Sequence, residues 1–219
     1  MLDEIGTDPS VQVVVIDHEG PAFSAGHNMK EMIDRPGEFY DQLFAVCTDL
    51  MKAVHRLPQP VIAAVDGVAT AAGCQLVATC DLAVATDRSQ FATPGVRIGL
   101  FCSTPMVPIV RAVGRKRAME LLLTGEAVDA ATAADWGLLN RVVAPEELAA
   151  EVDRLVDSIT RFSPSTIAIG KVAFYQQDGL HEDDAYELTR TVMAANAGDE
   201  VAQEGMSAFL DKRHPNWPT

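Results

Sequence analysis

The sequence predicts an α/β fold with a parallel sheet, followed by a helical region. Two short aliphatic runs, 61–65 and 82–86, have the length of buried strands, and a small-residue segment of helical length lies between them. Strands that alternate with helices are typical of a parallel sheet, because parallel neighbours need a crossover connection. From residue 145 onward the apolar spacing is helical. We therefore expect an α/β core at residues 1–144 and a helical region at residues 145–219.

Each predicted element has its own local signal. The run from Val11 to Asp17 is rich in β-branched residues, as expected for a strand that is buried on both faces. Pro36 to Leu57 has apolar residues at helical spacing and is followed by prolines, which end helices. We expect further strands at 61–65, 82–86, 90–93 and 139–143, and further helices at 72–80, 104–123 (divided near Gly114), 130–136, 146–161, 166–177, 183–197 and 200–212.

Composition limits the classes of partner. The chain has 219 residues and a formal net charge of −14, with 31 acidic and 17 basic residues. A nucleic acid or an anionic membrane would need a broad basic surface, so we expect neither as a partner. The four cysteines show no metal-binding spacing, and the N-terminus lacks an apolar leader. We therefore expect a cytoplasmic protein with reduced thiols and without a bound metal.

The segment 62–81 carries the strongest functional signal. It combines a buried strand, a tight turn and a helix of small residues, so that free backbone N–H groups are presented with little side-chain bulk around them. The N-terminus of such a helix stabilises an anion or a developing oxyanion. We therefore predict an oxyanion-binding site where this helix begins.

Three motifs in order along the chain resemble the crotonase (enoyl-CoA hydratase/isomerase) superfamily. They are the segment 62–81, the preceding run Phe23-Ser24-Ala25-Gly26-His27-Asn28-Met29 and the following run 91–100. The resemblance covers Val11 to Trp217 and implies a ClpP/crotonase-like spiral of ββα units with a C-terminal helical trimerisation region. It also implies a strand pair and a helix before Val11. Only ten residues precede that position, so we expect those elements to be missing and a sheet edge to be exposed.

The resemblance implies a ligand and the residues that bind it. Crotonases hold a coenzyme A thioester by two backbone N–H groups that hydrogen-bond its carbonyl oxygen. By motif position these are the amides of Ala25 and Ala72. A plainer interpretation of the small residues is close packing between backbones. No cofactor is expected beyond the coenzyme A of the ligand itself.

Further positions match the family's contacts with the coenzyme. Polar residues of the first motif would lie on its nucleotide side, and two lysines, one after that motif and one in the last helix, would bind its phosphates. An aromatic residue of the last helix would pack near the adenine of a neighbouring subunit's ligand. The family assembles as homotrimers, often paired into hexamers. A solvated surface charge or a packed aromatic ring is the plainer interpretation of several of these residues. They are Ser24, His27 and Asn28 in the first motif, Lys30 directly after it, and Phe209 and Lys212 in the last helix.

Two positions depart from the family pattern. Hydration of an enoyl thioester uses a pair of glutamates as general base and acid, whereas this chain has Gln75 and Gly95 in their places. Neither an amide nor a glycine exchanges protons near neutral pH, so we do not expect efficient hydration. Two alternatives stay open: a thioester hydrolase or decarboxylase, and a non-catalytic subunit that binds acyl-CoA or regulates an oligomer.

A few other side chains have both a chemical and a structural interpretation. His27 is the one nearby group whose ordinary pKa suits neutral-pH chemistry. Cys102 is a nucleophile or, more simply, a buried inert thiol. Ser103 is expected to cap the helix that follows it. Asp66 and Asp81 are expected to hydrogen-bond backbone or cap it rather than to act as acids or bases.

Overall fold

The computed structural model describes residues 2–218, which form two compact units. The core unit comprises residues 15–54 and 61–154. The helical unit comprises the remaining described residues, 2–14, 55–60 and 155–218. The chain thus passes from one unit to the other after residue 154, and the expected boundary at 144 stays a prediction.

The strands form two sheets. Their bounds are β1 (Val14–Ile16), β2 (Val61–Val65), β3 (Val68–Thr70), β4 (Leu82–Thr86), β5 (Gln90–Ala92), β6 (Val128–Asp129) and β7 (Arg141–Val143). One sheet has the order β1-β2-β4-β7, in which β4 runs parallel to β2 and to β7. The other has the order β3-β5-β6, in which β3 and β5 are parallel and β6 is antiparallel to β5. The predicted parallel α/β fold is confirmed.

Most of the helices follow the predicted positions, although the two short helices before residue 33 were not predicted. Their bounds are α1 (Leu2–Thr7), α2 (Met29–Met32), α3 (Gly37–Arg56), α4 (Ala72–Thr79), α5 (Met106–Val113), α6 (Arg115–Thr124), α7 (Ala130–Trp136), α8 (Leu148–Thr160), α9 (Pro164–Gln177), α10 (Glu182–Ala197) and α11 (Glu200–Leu210), with 3-10 turns at Pro94–Ile98 and Pro145–Glu147. The predicted division near Gly114 is confirmed, because that glycine, at φ +77°, separates α5 from α6. None of the described helices is long and apolar enough to cross a membrane.

The expectation for the first strand is wrong in length and in burial. Only Val14–Ile16 is extended in a ladder, and Val15 is 39% exposed. The burial was overestimated because β1 lies at the end of its sheet. A run of β-branched residues indicates a propensity to form a strand, but it does not show that both faces of the strand are covered. Among the described strands, β1 therefore forms one end of this sheet.

The interior of the core unit is built on β2 and β4. All five residues of β2 are buried, and Ala63 and Val65 face a cluster that includes Val77 of α4 and Ile109 of α5. Ile109 is fully buried, which contributes about 1.5–3 kcal/mol relative to an exposed side chain. This packing of α4 against α5 fixes the N-terminus of α4, where the candidate site lies.

Candidate active site

The turn between β3 and α4 has an unusual backbone. Ala71 has φ +50° and ψ −115°, a region that an alanine rarely adopts and that costs on the order of 1–3 kcal/mol. Its N–H donates to the carbonyl oxygen of Ala92 at 2.9 Å, and its own carbonyl accepts from the N–H of Gln75 at 3.0 Å. These bonds hold the turn that leads into α4, whose first amide is that of Ala72.

The loop 23–29 is attached to β3 beside this turn. The N–H of Ser24 donates to the carbonyl of Val68 at 3.1 Å, and the N–H of Thr70 donates to the carbonyl of Ser24 at 2.8 Å. A Cβ built on Gly73 would overlap the carbonyl oxygen of Ser24 and would lie 2.7 Å from the Ser24 Cβ. The loop and α4 can therefore approach this closely only because residue 73 is glycine.

At this junction, the backbone N–H groups of Ala25, His27 and Ala72 have no acceptor among residues 2–218, as is also true of the next amide of α4, that of Gly73. Gly26, at φ +88°, turns the loop between the first two, and a Cβ built on it would lie 3.2 Å from the Ala72 nitrogen. The structure thus brings the two predicted donors together and adds a third candidate, the amide of His27. An unpaired helix N-terminal amide beside a second free amide is suited to bind an oxyanion.

These residues line a cavity of about 440 Å³. The segment 94–105 forms its opposite wall, including Cys102, Ser103 and Thr104. Within the described chain, no aspartate or glutamate lines the cavity, and the lining side chains that can carry a positive charge are His27 and Arg97. Arg97, Phe44 and Met29 also line the cavity, although they were not predicted to do so. The position of Phe44 on α3 beside His27 depends on tertiary packing, so no local signal could have indicated it.

The two replaced glutamate positions differ in their surroundings. Gln75 is 3% exposed, does not line the cavity, and accepts a hydrogen bond through Oε1 from Cys47 Sγ at 4.0 Å. Gly95 does line it, but a Cβ there would overlap the carbonyl oxygen of Leu100 and lie 2.8 Å from Cys102 Sγ. The Leu100 N–H donates to the Gly95 carbonyl at 2.9 Å, which holds this approach. The local backbone therefore leaves no room for a side chain at position 95.

The titratable groups of the cavity are uncharged near neutral pH, apart from Arg97. Burial lowers the pKa of His27, whose ring packs edge-on against Phe44 with centroids 5.4 Å apart, so its imidazole is neutral at pH 7. Burial raises the pKa of Cys102, and it raises that of Cys74 to about 12. Both thiols are therefore protonated, which favours the interpretation of Cys102 as an inert thiol.

Asn28 and its neighbours have structural contacts. Asn28 caps α2, since its Oδ1 accepts from the Lys30 N–H at 3.2 Å and its Nδ2 donates to Glu31 at 2.7 Å. Lys30 is exposed, and Ser24 accepts from the Gly26 N–H at 3.3 Å. Neither Ser24, Asn28 nor Lys30 lines the cavity. Their predicted contact with a nucleotide stays a prediction.

Two residues of the predicted site belong to the helical unit. Phe209 is 82% exposed and lines an apolar cavity of about 470 Å³ formed by the C-terminal helices and Trp217. Lys212 follows α11 with φ +56°. The predicted role of Phe209 beside a neighbouring subunit's ligand and that of Lys212 at the coenzyme's phosphates also stay predictions.

The expected cap of α5 is wrong. Ser103 Oγ donates to the Phe101 carbonyl at 3.4 Å, and α5 begins only at Met106, with Pro105 before it. Ser103 therefore lies too far back along the chain to reach the free amides of the first turn.

The two predicted structural aspartates do bind within the fold. Asp81 Oδ2 accepts from the Val61 N–H at 2.7 Å. Asp66 pairs with Arg88 and accepts from Thr86 Oγ1 at 2.8 Å, and the Arg88 guanidinium lowers the Asp66 pKa to about 2. In the part of the chain that the structure describes, no three His, Cys, Asp or Glu side chains are grouped so as to hold a metal ion.

Several known proteins are similar to this chain in sequence. Enoyl-CoA hydratase domain-containing protein 3 of Xenopus laevis is 49% identical over 211 residues, 96% of this chain and 72% of the relative. The human protein of the same name is 47% identical over 94% of this chain and 69% of the relative. This is the subgroup that runs 69–75 and 99–105 most resemble.

The expectation of a cytoplasmic protein is contradicted by these relatives, because both are named as mitochondrial. It rested on reduced cysteines and on the lack of an apolar leader. Neither observation distinguishes the two compartments, since mitochondrial targeting segments are amphipathic and Arg-rich rather than apolar. The cytoplasmic prediction is therefore wrong.

Solved structures and the family profile agree with the sequence relatives. The crystal structure of an enoyl-CoA hydratase of Mycobacterium smegmatis superposes with a TM-score of 0.97 at 52% identity, over 100% of this chain and 85% of that one. The profile of the enoyl-CoA hydratase/isomerase family matches residues 1–219. Together with the strand-turn-helix that presents the Ala72 amide, these matches show that the chain belongs to the enoyl-CoA hydratase/isomerase family.

Proposed function

We propose that this protein binds an acyl- or enoyl-CoA thioester in the 440 Å³ cavity and does not hydrate it efficiently. The observation that carries the proposal is the combination of free backbone amides and a lining without carboxylates. The thioester carbonyl oxygen accepts hydrogen bonds from the Ala72 N–H and from one loop amide, that of Ala25 or His27. The coenzyme A of the ligand is the one cofactor that this proposal needs.

The amides suit binding of a carbonyl that gains negative charge. A helix N-terminal amide adds the helix dipole to its own hydrogen bond, and fixed backbone donors need no rearrangement when charge develops. Apolar side chains of Met29, Phe44 and Leu100 line the same cavity and would pack against an acyl chain.

The lining does not suit hydration. Addition of water across the double bond requires removal of a proton from water and delivery of a proton to the α-carbon. Gln75 cannot do either and is not part of the lining, and Gly95 has no side chain. Loss of one general acid or base typically costs about 10²–10⁴ in rate, so the loss of both leaves little hydration.

Thioester hydrolysis is a second candidate, favoured by His27. Its neutral imidazole lines the cavity that the free amides line. In this reaction water attacks the thioester carbon while His27 takes its proton, and the C–S bond then breaks as His27 returns the proton to the leaving thiolate. The amides stabilise the oxyanion between these steps.

A role in acyl-CoA metabolism, including that of fatty acids, and assembly as a homotrimer or dimer of trimers belong to the same proposal. Phe209 and Leu210 on α11 are 82% and 78% exposed, which is typical of an apolar surface that another subunit covers. Light scattering of the purified protein tests the assembly, and a mass of one chain would contradict it.

Binding through the carbonyl is tested by two coenzyme A analogues that resist hydrolysis. One is a ketone, in which a methylene group separates sulfur from the carbonyl, and the other is a thioether of equal chain length without a carbonyl. We expect calorimetric titration to give about 10-fold tighter binding of the ketone, since each hydrogen bond contributes about 0.5–1.5 kcal/mol. Equal affinity would contradict the oxyanion site, and no binding of either analogue would contradict the whole proposal.

A further inference from the structure

Arg97 is the one permanently charged side chain that lines the cavity of the described core unit. It lies in the 3-10 turn Pro94–Ile98, two residues after Gly95, and it is exposed. Its guanidinium has no hydrogen bond or ion pair with any described residue. Six other arginines form ion pairs with acidic side chains: Arg88, Arg117, Arg141, Arg154, Arg190 and Arg213.

The net negative charge of the chain makes the positive charge of Arg97 important for the binding of an anion. With a net charge of −14, the protein repels anions at long range, so a local cation that offsets this field favours the binding of an anionic group. Around Arg97 the cavity lining contains no carboxylate, so a bound anion meets no like charge there. Guanidinium groups bind carboxylate and phosphate oxygens in a bidentate manner.

We propose that Arg97 binds an anionic oxygen group of the thioester ligand, and that this group is a carboxylate on the acyl chain. The inference rests on the proposed function, because it places the thioester carbonyl at the Ala72 amide of the same cavity. It names the substrate class as the coenzyme A thioesters of dicarboxylic acids.

The dimensions of the cavity favour an acyl carboxylate, and not a phosphate of coenzyme A, as the group that Arg97 binds. A sphere of 440 Å³ is about 9 Å across, which accommodates a short acyl chain between the carbonyl and Arg97. The phosphates of coenzyme A are a dozen or so bonds from the sulfur, on the order of 15 Å in an extended chain. When the carbonyl binds inside the cavity, the phosphates therefore lie outside it.

The test compares charged and neutral acyl groups on matched variants. The ligands are succinyl-, glutaryl- and adipyl-CoA, each beside its neutral monomethyl ester, with dissociation constants from calorimetric titration. The variants are Arg97→Met, which keeps most of the side chain's apolar stem, and Arg97→Lys, which keeps the charge without the planar donors. Arg115→Met is the matched control, because Arg115 is also exposed and unpaired among the described residues, carries the same charge and does not line the cavity.

We expect at least one dicarboxylic thioester to bind the parent protein about 10-fold or more tightly than its ester. Arg97→Met should abolish that preference and leave ester binding unchanged, Arg97→Lys should retain part of it, and Arg115→Met should retain all of it. Equal weakening of acids and esters by Arg97→Met would assign Arg97 to a phosphate and overturn the carboxylate.

Two further outcomes separate this inference from the proposed function. If the parent protein binds acids and esters equally and Arg97→Met changes neither, the Arg97 inference is wrong while thioester binding stands. If the parent protein binds none of the six ligands, the proposed function itself fails, and the inference falls with it.

Discussion

The carbonyl oxygen of Leu100 lies where a side chain on Gly95 would begin. The Leu100 N–H donates to the Gly95 carbonyl at 2.9 Å, so the two residues approach through their backbones, with Cys102 Sγ close beside them. A glutamate at position 95 would require the backbone of residues 99–102 to move. The missing carboxylate is therefore a property of the local backbone as well as of the residue type.

This relationship predicts the outcome of substitutions at Gly95. Gly95→Ala should lower the free energy of unfolding by about 1–3 kcal/mol, because the added methyl group overlaps the Leu100 carbonyl. Gly95→Glu, alone or with Gln75→Glu, should not create crotonyl-CoA hydration. Denaturant midpoints measure the first effect, and loss of the enoyl absorbance measures the second.

Gly37→Ala is the matched control for Gly95→Ala. A Cβ on Gly37, the first residue of α3, would meet nothing within 4 Å. We expect its denaturant midpoint to equal or slightly exceed that of the parent. If the midpoint of Gly95→Ala were unchanged, or if the double glutamate variant hydrated crotonyl-CoA, the backbone of residues 99–102 would be able to move and make room for a side chain at position 95. Either result would contradict this prediction.

A second prediction concerns the contact between the loop 23–29 and α4. Gly73→Ala places a methyl group against Ser24, so the loop must move away from the N-terminus of α4. We expect affinity for the ketone analogue to fall about 10-fold or more, because the two donors no longer converge. Gly170→Ala on α9 meets nothing within 4 Å and should gain about 0.5–1 kcal/mol of stability without loss of affinity. Unchanged affinity in Gly73→Ala would argue against a site at this junction.

A third prediction concerns acid stability. The pKa of Asp66 is about 2 in the folded protein against 3.8 ordinarily, mainly because Arg88 donates to the carboxylate. Since the folded pKa is the lower one, the unfolded chain takes up the proton first. The stabilisation is therefore complete above about pH 4 and is lost as pH falls towards 2.

Asp66→Asn should lose this pH dependence. Thermal midpoints between pH 4 and pH 2 should fall less steeply than those of the parent, while at pH 7 the variant should be the less stable of the two. Asp49→Asn removes an exposed carboxylate of α3 and should follow the parent curve. Parallel curves for Asp66→Asn and the parent would contradict a lowered Asp66 pKa.

A fourth prediction concerns the thiols. Burial raises the pKa of Cys74 to about 12 and also raises that of Cys102, and alkylation requires the thiolate. In the folded protein at pH 7.5, we expect iodoacetamide to leave Cys74 unmodified and to label Cys102 more slowly than in the protein unfolded by urea. Mass spectrometry of peptides measures both. Labelling of folded Cys102 faster than that of the unfolded chain would instead indicate an activated nucleophile.

Local signals in the sequence were sufficient for most of the fold. The signals that predicted the elements each act on the backbone within a few residues. They are the prolines after α3, Gly114, and the aliphatic runs of β2 and β4, and the elements that they indicate are present. The three-residue strand β3 was missed, because Val68–Thr70 is too short to show a period and is extended only by pairing with Gln90–Ala92. The burial expected for β1 failed for the same kind of reason, since it depends on neighbours.

Some features of the candidate site could also be predicted from local sequence, and others could not. The position of the Ala72 amide was predictable, because the strand, the turn and the helix that present it are adjacent in sequence. The absence of side-chain space at Gly95 depends on Leu100 folding back onto it, and the position of Arg97 in the lining depends on how that turn packs. Residue types alone therefore indicate that a glutamate is missing but not that the backbone excludes one.

The central claim is that a thioester binds in this cavity without being hydrated. The most direct measurement is a single-turnover experiment, in which the protein is in excess over crotonyl-CoA at concentrations where titration shows saturation. We predict that the bound crotonyl-CoA keeps its enoyl absorbance for minutes. Conversion to 3-hydroxybutyryl-CoA at about 1 s⁻¹ or faster, within the ordinary range of enzymes, would contradict the claim and show that an unidentified acid and base act in the cavity.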